Sequence, residues 1–417
     1  MVTKSSNVVR HLPLIAAGIL SLSLSCGKKD RPDEPTNSEL TCSTPSTFYE
    51  ARTTLKSFSD ETSWEDVINQ CILFQGENYC NYATLPLIST DASPITRADV
   101  LDRTVATHRW MKERFSQMLD SYPDELVQMF RHVTAVVISK DARPSHYWTA
   151  HGAIILDPSG FWLTEDERAT LSDLEDCRSQ NFRKDELSFR VYSFDFVDDT
   201  PTFRLERSLE SLSLRIGMLL AHELAHAMDY TAALGGNNLD GSRTLFQLIQ
   251  QQNTILSSTL TQESPHDSDL LDQAAKYFFA GAEASQELLN ATPSSIARDF
   301  EAGAGLKLYS YFNSREDFAN LIEAHIARKY WNVSQSVAIV EPIDAQSNSC
   351  ADRRLKWTQM NRELSPQILA RINRGLELSS VTVEATSLID SNPELGLLGY
   401  EPDTASEDFC DYLGFVE

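Results

Sequence analysis

The sequence predicts an α+β fold, with a small sheet packed on one side by a larger set of helices. Three observations carry this. The short β-branched, apolar runs fall together between 132 and 196. Stretches with apolar residues at helical spacing lie before and mostly after them, so strands and helices do not alternate as βαβ units demand. The chain has 417 residues, 41% of them apolar, which is enough for one large domain or two ordinary ones with a proper core.

The elements follow in order. SWEDVINQCILF (63–74) reads as a short helix with Ser63 as N-cap and acids in its first turn. ITRADVLDRTVATHRWMKERFSQMLDSY (95–122) has helical periodicity, so 48–131 is expected to be a mostly helical N-terminal region. HVTAVVISK (132–140), HGAIIL (151–156) and FRVYSFDF (189–196) read as strands. A long helix is expected from about 205 to 230, then a loop, GGNNLDGS (235–242). Further helices are expected at about 243–262, 267–291, 295–308 and 316–331. The core would then span 132–331, and 332–417 would mix short helices with loops.

The N-terminus reads as a processing segment. Lys4 and Arg10 precede an apolar run, 12–24, that is too short for a comfortable membrane span and ends at small residues before Cys26. It resembles a bacterial lipoprotein signal (1–26), which implies a lipidated Cys26 as first mature residue and attachment to a lipid bilayer through it. Ser23 stands where such signals prefer an aliphatic residue, and an ordinary secretory signal is the alternative. Residues 27–47 are polar and proline-bearing, a flexible tether. Either signal places the protein outside the cytoplasm. Gly27 after the cysteine implies, by resemblance to lipoproteins of two-membrane bacteria, the outer membrane of the cell envelope.

Seven cysteines are present, and six remain if Cys26 carries lipid, an even number suited to disulfides in an oxidising compartment. Cys71 with Cys80 is the most local pair, and Cys350 with Cys410 would pin the C-terminal region to itself. There is no CxxC pair, which argues against a cysteine zinc ribbon. The formal net charge of -24 argues against nucleic-acid binding, because phosphate backbones repel such a surface.

The chemistry concentrates in IGMLLAHELAHAMDY (216–230), which contains HExxH: His222, Glu223 and His226. Residues four apart lie one turn apart on one helix face, so both imidazoles can point at one ion. Glu223 can reach a water at that ion without ligating it and take its proton as the water attacks a carbonyl. Residues 216–228 carry no other charge, so the helix is expected to be buried. Three polar side chains in a buried helix are expensive without partners, and a metal supplies them.

A catalytic zinc usually takes three protein ligands. The segment after His226, AMDYTAALGG, offers no histidine at the metzincin spacing, so the third ligand must lie further on. The best region is YSYFNSREDFANLIEAH (309–325), where Ser314 can cap a helix. On spacing alone Glu316, Asp317 and Glu323 are near equals.

HELAHAMDY followed by YSYFNSREDFAN resembles the gluzincin peptidases, and among them the peptidase domain of anthrax lethal factor and related zinc-dependent bacterial proteins. The resemblance implies a zincin-like core with one Zn2+, Glu316 as third ligand on a C-terminal ligand helix, and Tyr309 as hydrogen-bond donor to the oxyanion or leaving group. Asn313 matches the asparagine that precedes the ligand glutamate. Asp229, three after His226, would orient a ligand histidine; its other reading is a helix-end acid paired on the surface. The chain departs from the pattern in two places. The second acid of ExFAE is replaced by Asn320, and 90 residues separate His226 from Glu316, room for an inserted helical pair at about 244–289.

In zincins an edge strand commonly binds extended substrate. Gly152, Ala153 and Ile154 of HGAIIL are the candidate, with an ordinary core strand as the equal alternative. His146, Tyr147, Trp148 and His151 could rim the cleft. His325, nine residues after Glu316, cannot readily share its ion and reads as structural or surface. The implied function is hydrolysis of peptide bonds in a protein or peptide substrate by a membrane-tethered, extracytoplasmic zinc metallopeptidase. The alternatives are a non-catalytic scaffold of the same fold and a zinc hydrolase of a cell-wall amide.

Overall fold

The computed structural model describes residues 55–58, 64–72, 80–173, 186–198, 200–234, 239–266, 268–343, 352–379, 398–400 and 409. The signal segment with Cys26, the tether, Ser63, and Cys42, Cys177, Cys350 and Cys410 lie outside the described residues.

Thirteen α-helices and nine strands are described. The helices are α1 (Trp64–Ile72), α2 (Arg97–Asp102), α3 (Arg109–Ser121), α4 (Asp124–Met129), α5 (Glu165–Arg168), α6 (Leu209–Thr231), α7 (Leu245–Gln250), α8 (Leu256–Glu263), α9 (Asp269–Ala280), α10 (Gln286–Leu289), α11 (Pro293–Ala302), α12 (Ser314–Trp331) and α13 (Pro366–Ser379). The strands are β1 (Thr104–Ala106), β2 (Ala135–Ile138), β3 (His146–Trp148), β4 (Ala153–Leu156), β5 (Arg190–Val197), β6 (Thr200–Pro201), β7 (Ser334–Pro342), β8 (Arg353–Met360) and β9 (Leu398–Tyr400). The chain is α+β, but with two sheets where one was expected.

The first sheet has the order β1-β2-β4-β3. β1, β2 and β4 run parallel, and β3 closes the edge antiparallel to β4. Every residue of AVVI and AIIL is buried, as a parallel strand covered on both faces requires. Val136, Ile138, Ile154 and Leu156 face the main core with α3, α4 and α6, while Val137 and Ile155 face α1 through Ile68 and Ile72. The expectation of helices on one side only is therefore corrected. Cys71, in α1, forms a disulfide with Cys80.

The second sheet, order β6-β5-β7-β8-β9, is antiparallel throughout. Val337 and Ile339 of β7 pack towards α9 and α11, and the alternating Ala338 and Val340 pack on the other face with Tyr192 and Phe409. Region 332–417 thus contributes two long strands and a 14-residue helix, not short helices and loops. The expected boundaries at 131/132 and 331/332 separate no units: β1 pairs with β2, and β5 pairs with β7. The expected insertion at 244–289 holds four helices, α7 to α10, rather than a pair. One of the breaks falls at Gly281, the left-handed C-cap of α9.

Two helices set the site. α6 starts at a capping box in which Ser208 and Ser211 satisfy each other's backbone N–H groups. α12 packs along α6. Gly217 allows this close approach, since a Cβ there would stand 2.5 Å from the Trp331 ring at the end of α12.

Candidate metal centre

His222 and His226 project from one face of α6, and Glu316 meets them from the first turn of α12. The Glu316 carboxylate Oε2 lies 3.1 Å from His222 Nε2 and 3.3 Å from His226 Nε2. The two Nε2 atoms are 3.2 Å apart. Donors held about 2.0–2.1 Å from a tetrahedral zinc stand about 3.3–3.4 Å from one another. The three atoms therefore form a triangle of the size of one face of a zinc tetrahedron. It is the one group of three histidine, cysteine or acidic side chains close enough to share an ion that was found among the described residues.

Charge points the same way. Burial pulls the His222 imidazole down, but Glu316 and Glu323 outweigh it and hold it up to about 10. His226 is likewise raised against burial by Glu316. Burial opposes the Glu316 charge, but the two imidazoles hold its carboxyl well below the usual range. Two carboxylates converge on His222, and the balance calls for positive charge between them. Protons on the imidazoles can supply it, and so can a divalent cation with neutral imidazole ligands. The donor set, two nitrogens and one carboxylate oxygen, fits zinc.

Glu316 reaches its place because Asn313 caps α12. The Asn313 side-chain oxygen accepts the backbone N–H groups of Arg315 and Glu316 at 2.9 and 3.0 Å. The expected cap, Ser314, is instead the first helical residue. Asp317, its near equal on spacing, points elsewhere: it is fully buried and pairs with Arg371 of α13. Glu323 stands outside the donor triangle and is buried. It lies on the outer side of His222, with Oε2 3.1 Å from Nδ1.

Glu223 faces the sheet edge. Its Oε2 accepts the Tyr147 backbone N–H of β3 at 2.7 Å. Burial raises its carboxyl above the ordinary value, against the pull of the two imidazoles. A carboxylate made more basic and held beside the donor triangle suits a proton acceptor. The edge-strand assignment is corrected here. β4, with Ala153 and Ile154, is an inner strand between β2 and β3, and β3 is the edge. HYW is only three residues long, too short to read as a strand from pattern. Gly152 serves the turn into β4, with φ +68° and no room for a Cβ, which would stand 2.2 Å from Leu245 Cδ2.

Tyr309 sits in the 3₁₀ turn Leu308–Tyr311 before α12. Its ring stacks beside His222 at 6.4 Å and is flanked by Phe279 at 4.8 Å and Phe312 at 5.8 Å. Asp229 does not orient a histidine through any hydrogen bond described. Its Oδ1 accepts the Ser257 backbone N–H at 2.7 Å, and its Oδ2 has no hydrogen-bond partner. It is buried rather than on the surface, because α8 covers the end of α6. His325 is buried beside Glu125 at 3.5 Å, a structural place.

No family model, no curated protein and no solved structure matches this chain.

Proposed function

We propose that this protein is a zinc-dependent metallopeptidase of zincin type, in which His222, His226 and Glu316 hold the metal and Glu223 is the general base. The observation that supports this most is the donor triangle, whose sides of 3.1, 3.2 and 3.3 Å suit a tetrahedral ion, with a buried carboxylate next to it at a sheet edge. Bound zinc would acidify a water and polarise a carbonyl. The rest is the work of this chain. Glu223 takes the water's proton and passes it to the leaving amine. The Tyr147 N–H keeps the Glu223 carboxylate at the middle of β3, so an extended peptide along that edge runs past the base. Tyr309, whose ring stacks beside His222, is assigned to hydrogen-bond the developing oxyanion or leaving group.

The experiment is zinc analysis and cleavage of a casein-like mixed substrate by the purified protein. Glu223→Gln should keep one zinc per chain and lose at least about 100-fold in cleavage. Undiminished cleavage by that variant refutes the mechanism. Wild-type protein that takes up no zinc under metal-replete conditions favours the scaffold reading.

The same proposal places the protein outside the cytoplasm, anchored in the cell envelope through Cys26. Among the described residues no helix is long and apolar enough to cross a membrane. A labelled fatty acid should enter the wild-type chain and not Cys26→Ala. Equal labelling of both excludes the anchor.

A further inference from the structure

We infer that Glu323 fixes the ring of His222 for metal binding, and that Lys307 acts on the centre through Glu323 as a positioning residue. The inference rests on the metal-centre reading above. An imidazole has two nitrogens, and a ligand histidine must present a lone pair on one of them. His222 Nε2 belongs to the donor triangle, and its Nδ1 lies 3.1 Å from Glu323 Oε2. A cation at the triangle needs the Nε2 lone pair, so the one hydrogen of the neutral ring sits on Nδ1, where the Glu323 carboxylate accepts it. Glu323 stands seven residues after Glu316, about two turns along α12, and so on the same helix face. One rigid helix thereby grips the ring at both nitrogens and sets its angle as well as its tautomer.

Glu323 is held in turn. Lys307 Nζ donates to both of its oxygens, at 3.3 and 3.1 Å. Both side chains are mostly enclosed, at 18% exposed for Lys307 and 9% for Glu323. Two donors fix the plane of a carboxylate, and Lys307 together with His222 Nδ1 leaves the Glu323 group one orientation. The charge of Asp195, in β5, also acts on the Lys307 ammonium. The neighbouring buried amide, Asn320, takes no part, since it donates to Ser310 Oγ.

The test measures zinc affinity on the full purified chain by competition with a chromogenic chelator. Glu323→Ala should weaken binding by about 10–100-fold. Glu323→Gln, which keeps an acceptor oxygen for Nδ1, should recover part of the loss. Lys307→Met should weaken binding several-fold in the wild-type background and leave Glu323→Ala unchanged. The visible spectrum of the cobalt-loaded protein should move in Glu323→Ala and Lys307→Met, a shift that loss of packing away from the metal would not produce. Uptake of one metal at saturation shows that a variant is folded. Wild-type affinity in Glu323→Ala overturns the inference while the metal centre stands. An equal effect of Lys307→Met in both backgrounds overturns the part assigned to Lys307. A wild-type chain without zinc removes the centre itself.

Discussion

Asp317→Ala should unfold the protein more readily and leave the proposed zinc site intact. Asp317 follows the proposed ligand in sequence, yet its carboxylate points away into the core, where Arg371 pairs with both of its oxygens. Both side chains are fully buried. Arg371 also donates to the Ser264 and Ala304 carbonyls, so the guanidinium pins the end of α8 and the segment before the 3₁₀ turn to the start of α12. Truncating Asp317 leaves a buried cation with carbonyl acceptors and no countercharge. Breaking a buried pair from one side costs about 3–5 kcal/mol. Most of that loss is the stranded charge, so Asp317→Ala/Arg371→Met should cost less than the single change. The assay is urea unfolding of chelator-treated protein, followed by circular dichroism, with zinc affinity measured separately on folded protein. An unchanged unfolding midpoint, or a double variant as unstable as the single one, refutes this account of the pair. A 100-fold loss of zinc affinity at unchanged stability would instead make Asp317 a ligand.

The His222, Glu223, His226 set was legible because the spacing that carries it lies within one helical turn. Glu316 was not separable on spacing from Asp317 and Glu323, although helix geometry holds part of the answer. Residues 316 and 323 share a face, and 317 is turned about 100° from 316. What decides the roles is what each face meets: His222 on one, Arg371 on the other. Arg371 lies 54 residues on, and no local pattern announces it. Asn313 was singled out by resemblance, and its physical part, capping α12, could have been read from an asparagine at a helix start as readily as Ser314 was. The second sheet was hidden for another reason. β7 has an apolar VAIV, but β8 begins RRLK, and its Leu355 and Trp357 pack on opposite faces of the sheet across a register shift, so no period of two shows. Such a strand is specified by pairing with β7, not by its own composition. β3 is the extreme case. Three residues carry no periodicity, yet they form the edge that meets Glu223.

Two further outcomes concern the Cys71–Cys80 bridge and the buried Asp229. Closing the Cys71–Cys80 loop, with a sequence separation of 9, should stabilise the native state by about 2.5 kcal/mol through the entropy of the unfolded chain. Reductant should lower the urea midpoint of the wild type and leave a Cys71→Ser/Cys80→Ser variant unmoved; equal response in both excludes the bridge as the cause. Asp229 should make the protein less stable as pH rises. Burial pushes its carboxyl up to about 6, and the Ser257 N–H offsets only part of that. The folded state therefore keeps this proton to a higher pH than the unfolded chain, whose carboxyl titrates near the ordinary value of 3.8. Its contribution is fully present below that value, fades between about pH 4 and 6, and is absent above, a total of up to about 3 kcal/mol. Asp229→Asn should erase that slope and gain stability at pH 8. Its oxygen can still accept from Ser257, and its amide has no charge to bury. The measurement is the urea midpoint of both proteins between pH 4 and 8. Parallel curves refute the burial argument. A large loss of zinc affinity in Asp229→Asn would return Asp229 to the role of orienting a ligand histidine, which its hydrogen bond to Ser257 argues against.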